Sequence, residues 1–92
     1  MITALVLMNV NRGMVNETAQ ALLAIPGVAE VYSVTGEYDL VALLRLPRYE
    51  DLADVVTGRM IAVEGITRTE TLMAFKAYSR EDLEQAWDIG VE

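Results

Sequence analysis

The chain contains no cysteine and no histidine, and these two absences remove large classes of chemistry. Without cysteine there is neither a disulfide framework nor a thiol nucleophile. Without histidine the commonest general base is missing, and with both absent most transition-metal sites lose their usual ligands. We therefore predict no catalytic residue, no metal site and no cofactor.

Basic residues are also scarce, with seven lysines and arginines against fourteen acidic residues and a net charge of −7. Nucleic-acid binding draws most of its affinity from cations that neutralise phosphates. The seven basic residues are scattered along the chain rather than clustered. We expect that this chain does not bind DNA by itself.

Long apolar runs are absent too. No run approaches the roughly 20 residues that a membrane span needs. The first run, Ile2 to Val10, has the length of a strand, includes Thr3 and Asn9, and follows no basic segment, so it is not a signal peptide. We expect no membrane segment and a cytoplasmic protein.

What the chain does have is an excess of apolar residues, which make up 53% of its 92 positions. A chain of this length forms one domain, and its interior is too small to hide that much apolar surface. We expect part of this surface to be buried against another subunit.

Four segments have the two-residue periodicity of strands. The first and third are apolar on both faces, which indicates that both faces are covered. The predicted strands are Ile2 to Val10, Val28 to Thr35, Tyr38 to Leu46 and Thr67 to Phe75.

Three segments favour helices. The first runs from about Met14 to Ile25 and is stopped by Pro26-Gly27, and the second starts at Pro47. Ser79-Arg80-Glu81-Asp82 has a serine cap and first-turn acids, and opens a short C-terminal helix. The apolar positions of the three predicted helices are Val15, Ala19, Leu22 and Leu23, then Leu52, Val55, Val56 and Met60, then Leu83 and Trp87.

The element order is therefore βαββαβ followed by a short C-terminal helix. It predicts an α+β, ferredoxin-like fold: a four-stranded antiparallel sheet with two helices on one face. The other apolar face then needs a cover, and the sheet of a second copy is the simplest one. The pattern predicts a homodimer.

The turn between the second and third strands is the candidate ligand site. Gly36 adopts a positive φ without steric cost, while Glu37 and Asp39 place carboxylates near it. We interpret Asp39 as a partner for a ligand ammonium, or as a cap for free amides of its own turn. Glu37 either contacts ligand or is solvated, and Tyr38 either walls the site or packs across the sheet.

Three segments give the chain a family resemblance: Ile25-Pro26-Gly27-Val28, Val31 to Leu40, and Glu64 to Thr71. In this order and spacing they resemble the effector-binding domain, or RAM domain, of the Lrp/AsnC family of feast/famine transcriptional regulators. The likeness runs from about Ile2 to Ala77. We assign residues 1–78 to this domain and residues 79–92 to a C-terminal helical extension.

The resemblance implies an amino-acid-binding sensor and oligomerisation module linked to transcription regulation. It implies homodimers joined through their sheets, often assembled into octamers, with the effector at the dimer–dimer interface. Family regulators carry a helix-turn-helix domain before this one, and the present sequence starts at the first strand, so we expect a stand-alone version. Assembly with itself or with full-length Lrp/AsnC regulators, action on another protein, and action on none all stay open.

The fourth predicted strand adds hydroxyls to the candidate site. Thr67, Thr69 and Thr71 share one face, where they either contact a ligand carboxylate or simply suit a strand. Arg68 and Glu70 fall on the opposite face, where we predict an exposed ion pair.

Two other classes of function remain as alternatives. A dimeric α/β-barrel enzyme of the monooxygenase type shares the sheet-on-sheet plan, but this chain offers no recognisable nucleophile with an orienting partner, so we expect no enzyme. A ligand-free structural oligomer is the second alternative. An ACT-type regulatory domain has the same element order and the same ligand class, and strand pairing at the dimer contact would distinguish it.

Overall fold

The computed structural model describes residues 1–80. The predicted C-terminal helix, with Leu83 and Trp87, lies outside the described residues. The strands are β1 (Ile2–Val10), β2 (Val28–Ser33), β3 (Leu40–Leu46) and β4 (Ile66–Ala74). The helices are α1 (Val15–Leu23) and α2 (Tyr49–Ala53), and α2 continues as a π-helix over Asp54–Arg59 and a 3-10 turn over Met60–Ala62.

The four strands form one antiparallel sheet in the order β2-β3-β1-β4. The first strand of the sequence is therefore central, paired with β3 from Ile2 opposite Leu46 and with β4 from Thr3 opposite Ala74. This order and the two helical crossovers confirm the predicted ferredoxin-like fold.

The core lies between the sheet and the helices. Alternate residues of β1 and β3 are fully buried there, because the period of a strand sends every second side chain to the helix side. Its most buried members are Ala4, Val6, Met8, Leu22, Leu40, Ala42, Leu44 and Met60.

The apolar stripe predicted for α1 is wrong at one position. Leu22 is buried, but Leu23 is 51% exposed. Successive helical residues point about 100° apart, so one of two adjacent leucines at the end of a helix leaves the core. The buried partner of Leu22 is instead Thr18, four residues earlier, whose hydroxyl donates to the Glu64 carbonyl at 3.2 Å.

The second helix buries the predicted side, but its middle part is wound as a π-helix instead of an α-helix. Leu52, Val55 and Met60 are buried, and Val56 packs against the same core. The Met60 amide donates to the carbonyls of both Val55 and Val56, which marks the wider turn of the π-helix.

Strand ends differ from the predictions. Strand β2 stops at Ser33 and β3 begins at Leu40, which leaves a turn of residues 34–39. Strand β4 ends at Ala74, so Phe75 lies beyond it with its side chain fully exposed.

The side of the sheet away from the helices carries a second apolar surface, here called the helix-free face. Leu5 of β1 lies opposite Leu43 on one side and Leu72 on the other. Leu72 is 45% exposed within the described residues. The apolar members of this face are Leu5, Leu7, Tyr32, Val41, Leu43 and Leu72.

Candidate functional site

The turn of residues 34–39 is held to the sheet by its own backbone. The Val34 amide donates to the Asp39 carbonyl at 3.0 Å, and the Asp39 amide donates to the Met8 carbonyl at 2.9 Å. Gly36 has a φ of +108°, and no heavy atom lies within 4 Å of the position a Cβ would occupy. The backbone at Gly36 is therefore open to approach from outside.

Asp39 connects this turn to β1. Its Oδ2 accepts a hydrogen bond from the Val10 amide at 2.8 Å. The Val10 amide lies where the β1–β4 register shifts, between Asn9 and Val10, and the carboxylate satisfies it there. Asp39 thus caps an amide of a distant strand rather than one of its own turn.

Glu37 lies at the exposed side of the turn. Its backbone carbonyl accepts a hydrogen bond from Asn9 Nδ2 at 2.9 Å, while its side chain is exposed. Residues Glu37 and Asp39 are therefore both tied to the end of β1, one through its carbonyl and one through its carboxylate.

Tyr38 is buried although it belongs to the turn. Its hydroxyl donates to Glu70, and the Arg68 guanidinium lies 5.3 Å from the centre of its ring. The hydrogen bond to Glu70 raises the pKa of the Tyr38 phenol above its usual 10.0, desolvation adds to this, and the Arg68 charge opposes it.

The predicted Arg68–Glu70 ion pair is wrong. In the described part of the chain both residues contact Tyr38 instead, because its side chain reaches over to β4. A similar arrangement occurs at the opposite edge of the helix-free face, where the Tyr32 hydroxyl donates to Glu30 at 2.6 Å. That bond likewise raises the pKa of Tyr32.

The three threonines of β4 are exposed, and two of them lie on the helix side of the sheet. Thr69 is opposite Met8 and Thr71 is opposite Val6, both of which point into the core. Thr67 lies beside the register shift at the end of β1. Within one chain the candidate residues therefore lie on both faces of the sheet. Thr69 and Thr71 are on the helix side, whereas Tyr38 contacts Arg68 and Glu70 on the helix-free face.

A cleft of about 220 Å³ between α2 and β4 was not anticipated from the sequence. Thr71 forms its β4 wall, and the Thr57 hydroxyl is bonded back to the Ala53 carbonyl of the same helix. The available signal was the alternation of β4, which puts threonines rather than apolar residues on its helix side. The cleft is lined by Tyr49, Leu52, Ala53, Val56, Thr57 and Thr71.

Residues 1–80 lack two further kinds of feature. No group of three or more acidic residues there is arranged to hold a metal ion. No helix in that part of the chain is both long enough and apolar enough to cross a membrane.

Comparison with known families gives a match over most of the chain. A family model described as the Lrp/AsnC ligand-binding domain matches residues 3–83. Among curated proteins, the HTH-type transcriptional regulator FL11 of Pyrococcus furiosus is 32% identical over 77 residues, which is 84% of this chain and 50% of that protein. The chain spans about half the length of the curated relatives it matches.

Solved structures agree with this match. The crystal structure of TTHA0845 from Thermus thermophilus is 55% identical with a TM-score of 0.81, covering 87% of this chain and all of that one. The regulator NMB0573 of Neisseria meningitidis, solved as an L-Met complex, has a TM-score of 0.76. The two chains are 15% identical, and the match covers 86% of this chain and 53% of NMB0573. At this identity the likeness concerns the fold alone.

Proposed function

We propose that this chain, which belongs to the Lrp/AsnC ligand-binding domain family, binds an amino-acid effector and transmits the bound state through its subunit assembly. The curated relatives are named as transcription regulators, which supports a regulatory role rather than an enzymatic one. We place its action in the cytoplasm, as the regulator names of its relatives suggest.

The observation that carries the proposal is the fixed, open turn of residues 34–39. Gly36 leaves its backbone accessible, and Asp39 is held by bonds to Met8 and Val10. An ionised carboxylate has about four acceptor positions, so Asp39 keeps capacity for a ligand ammonium after it has bound the Val10 amide. Turn amides beside Gly36 suit the ligand carboxylate, and exposed Glu37 adds negative charge for the ammonium.

The proposed site is completed by a second subunit. We propose that two chains pack their helix-free faces together and that dimers assemble further, up to an octamer. Thr67, Thr69 and Thr71 then supply hydroxyls where a neighbouring chain brings its turn against β4. Tyr38 supplies the wall on the side of the helix-free face.

The regulatory output follows from the assembly. A ligand shifts packing only if it binds one arrangement more tightly than another. With a net charge of −7 the chain does not bind DNA alone, so its regulatory route is through partners. Full-length Lrp/AsnC regulators are the partners we propose, since named relatives are longer and contain a matching region over about half of their length.

The direct test is calorimetric titration of the chain with each of the twenty amino acids, with thermal unfolding in parallel. We expect heat and a raised Tm with at least one of them, as a fold relative was solved with L-Met. An oligomer that gives no heat and no Tm shift with any amino acid would instead be a structural assembly.

Two glycines provide a matched pair of variants for that titration. Gly36 and Gly13 both have positive φ and open space at the Cβ position. Alanine at either position costs about 1 kcal/mol or more of backbone strain, but only Gly36→Ala alters the proposed site. We expect Gly36→Ala to lose ligand heat and Gly13→Ala to retain it. Equal loss in both variants would place the ligand elsewhere.

A further inference from the structure

Arg68 is a basic residue held beside the turn of residues 34–39. Its guanidinium lies 5.3 Å from the centre of the Tyr38 ring, and its side chain is otherwise exposed. Stacking on a ring uses the flat face of a guanidinium, so the N–H groups in its plane are left free to donate. The turn thus positions a cation that still has donors for another group.

The acidic side chains of this region do not use those donors. Glu70 accepts the hydrogen bond of the Tyr38 hydroxyl, and Asp39 accepts that of the Val10 amide. Within residues 1–80 Arg68 forms no ion pair, although the chain has fourteen acidic residues for seven basic ones. In this part of the chain the charge of Arg68 therefore has no anionic partner.

The neighbour of Arg68 across the sheet is Asn9. The two residues lie directly opposite each other in the β1–β4 pairing, where Cβ atoms are about 5 Å apart. Asn9 Nδ2 donates to the Glu37 carbonyl at 2.9 Å, which leaves Asn9 Oδ1 as an acceptor on the other side of the amide. A donor group and an acceptor group thus lie side by side next to the turn, as the ammonium and carboxylate of one α-carbon require.

The charge around the turn shows why a cation is needed there. Glu37 and Asp39 belong to the turn, and Glu70 is bonded to its tyrosine. These carboxylates attract the ammonium of an amino acid but repel its carboxylate. The neutral amides beside Gly36 can donate to that carboxylate, but they carry no net charge to offset the repulsion.

We propose that Arg68 binds the carboxylate of the amino-acid effector, together with the turn amides beside Gly36. Asn9 Oδ1 then joins Asp39 as an acceptor for the ammonium. A guanidinium suits this role because its paired N–H groups match the two oxygens of a carboxylate. The inference rests on the proposed function and adds a residue that selects amino acids with a free carboxylate over their amides and amines.

Comparison of an amino acid with its primary amide tests this contact. The amide keeps the side chain and the ammonium but has a neutral carboxamide in place of the carboxylate. The probes are the amino acid that gives the largest heat among the twenty and its primary amide, both titrated by calorimetry. We expect Arg68→Met to weaken binding of the amino acid at least about tenfold and not to weaken binding of the amide. Arg68→Lys keeps the charge but loses the paired donors, so its loss should be smaller.

Arg59→Met is the matched control, because it makes the same charge change on the exposed part of the π-helix. It should leave both affinities unchanged. Equal weakening of amino acid and amide in Arg68→Met would mean that Arg68 supports the fold or the assembly, and it would overturn the inference, as would undiminished binding of the amino acid. A natural chain that gives no heat with any amino acid overturns the proposed function and this inference with it, so the two failures are distinguishable.

Discussion

The Asp39 carboxylate accepts a hydrogen bond from the Val10 amide at 2.8 Å and thereby joins the β2–β3 turn to the end of β1. We predict that Asp39→Ala lowers the free energy of unfolding by about 1–3 kcal/mol, because the amide loses its acceptor. Asp39→Asn keeps an acceptor oxygen and should cost less, but it removes the charge proposed to bind the ligand ammonium.

Urea unfolding measures the stability change and calorimetry measures ligand binding. Glu37→Ala is the control for stability, since the exposed Glu37 side chain should change the unfolding free energy by no more than about 0.5 kcal/mol. A stable Asp39→Asn chain with undiminished ligand heat would remove Asp39 from the proposed site.

A charge on the helix-free face should break the proposed dimer. Leu5 lies between Leu43 and Leu72 on this face, so Leu5→Lys buries an unpaired ammonium in the contact. We expect dimer affinity to fall at least about 100-fold, as judged by light scattering across concentrations. Ile61→Lys is the control, because Ile61 is an apolar residue that is 72% exposed after the π-helix. A natural chain that is monomeric at all concentrations would contradict both the dimer and the site that depends on it.

Alkaline titration should separate two tyrosine–glutamate pairs. The hydrogen bond to Glu70 raises the pKa of Tyr38, and the bond to Glu30 raises the pKa of Tyr32. A raised pKa in the folded state means that the neutral phenol contributes stability below its ordinary pKa of 10.0, and that this contribution is lost as the pH rises through the folded value.

Tyrosinate absorbance, taken as the difference between the natural chain and Tyr38→Phe, follows Tyr38 alone. We predict that Glu70→Gln lowers the pKa of Tyr38 towards its ordinary value and that Glu30→Gln leaves it unchanged. A pKa of Tyr38 that is the same in both variants would show that Glu70 is not its partner in solution.

The contact between Thr18 and the Gly65 turn should govern stability without touching the ligand site. Gly65 has a φ of +101°, and a Cβ there would be 2.7 Å from Thr18 Oγ1. We predict that Gly65→Ala costs about 2 kcal/mol or more from strain and overlap together. When Thr18→Ala has removed the hydroxyl, Gly65→Ala should lower the free energy of unfolding by less. Denaturation of the natural chain, the two single variants and the double variant measures this coupling. Strictly additive costs would mean that the two groups do not touch.

The fold was largely predictable because alternation and turn residues carry most of the information. The apolar alternation of β1 and β3 determined their faces, and Pro26-Gly27 marked the helix exit correctly. The buried face of α1 was less clear, since Leu22 and Leu23 are equally apolar and only packing decides which is buried. The π-helix of Asp54–Arg59 also escaped prediction, because a local change in winding leaves the apolar spacing almost unaltered.

The candidate site was predictable only in part. Gly36 was expected to have a positive φ, and it does. The contacts of Tyr38 with Arg68 and Glu70 join residues some thirty positions apart, which no local pattern reveals. Asp39 likewise bonds to Val10 across the sheet rather than within its own turn. The ligand roles of Gly36, Glu37, Tyr38, Asp39, Thr67, Thr69 and Thr71 stay predictions.

The central place of β1 in the sheet has a consequence for biosynthesis. The strand made first pairs with the strand made last, as Thr3 opposite Ala74 shows. Strand β3 can pair with one edge of β1 earlier, but the nascent domain must hold the other edge of this apolar strand unpaired until β4 has left the ribosome. Distant pairing of this kind slows folding, so we expect chaperone demand to be highest before β4 emerges.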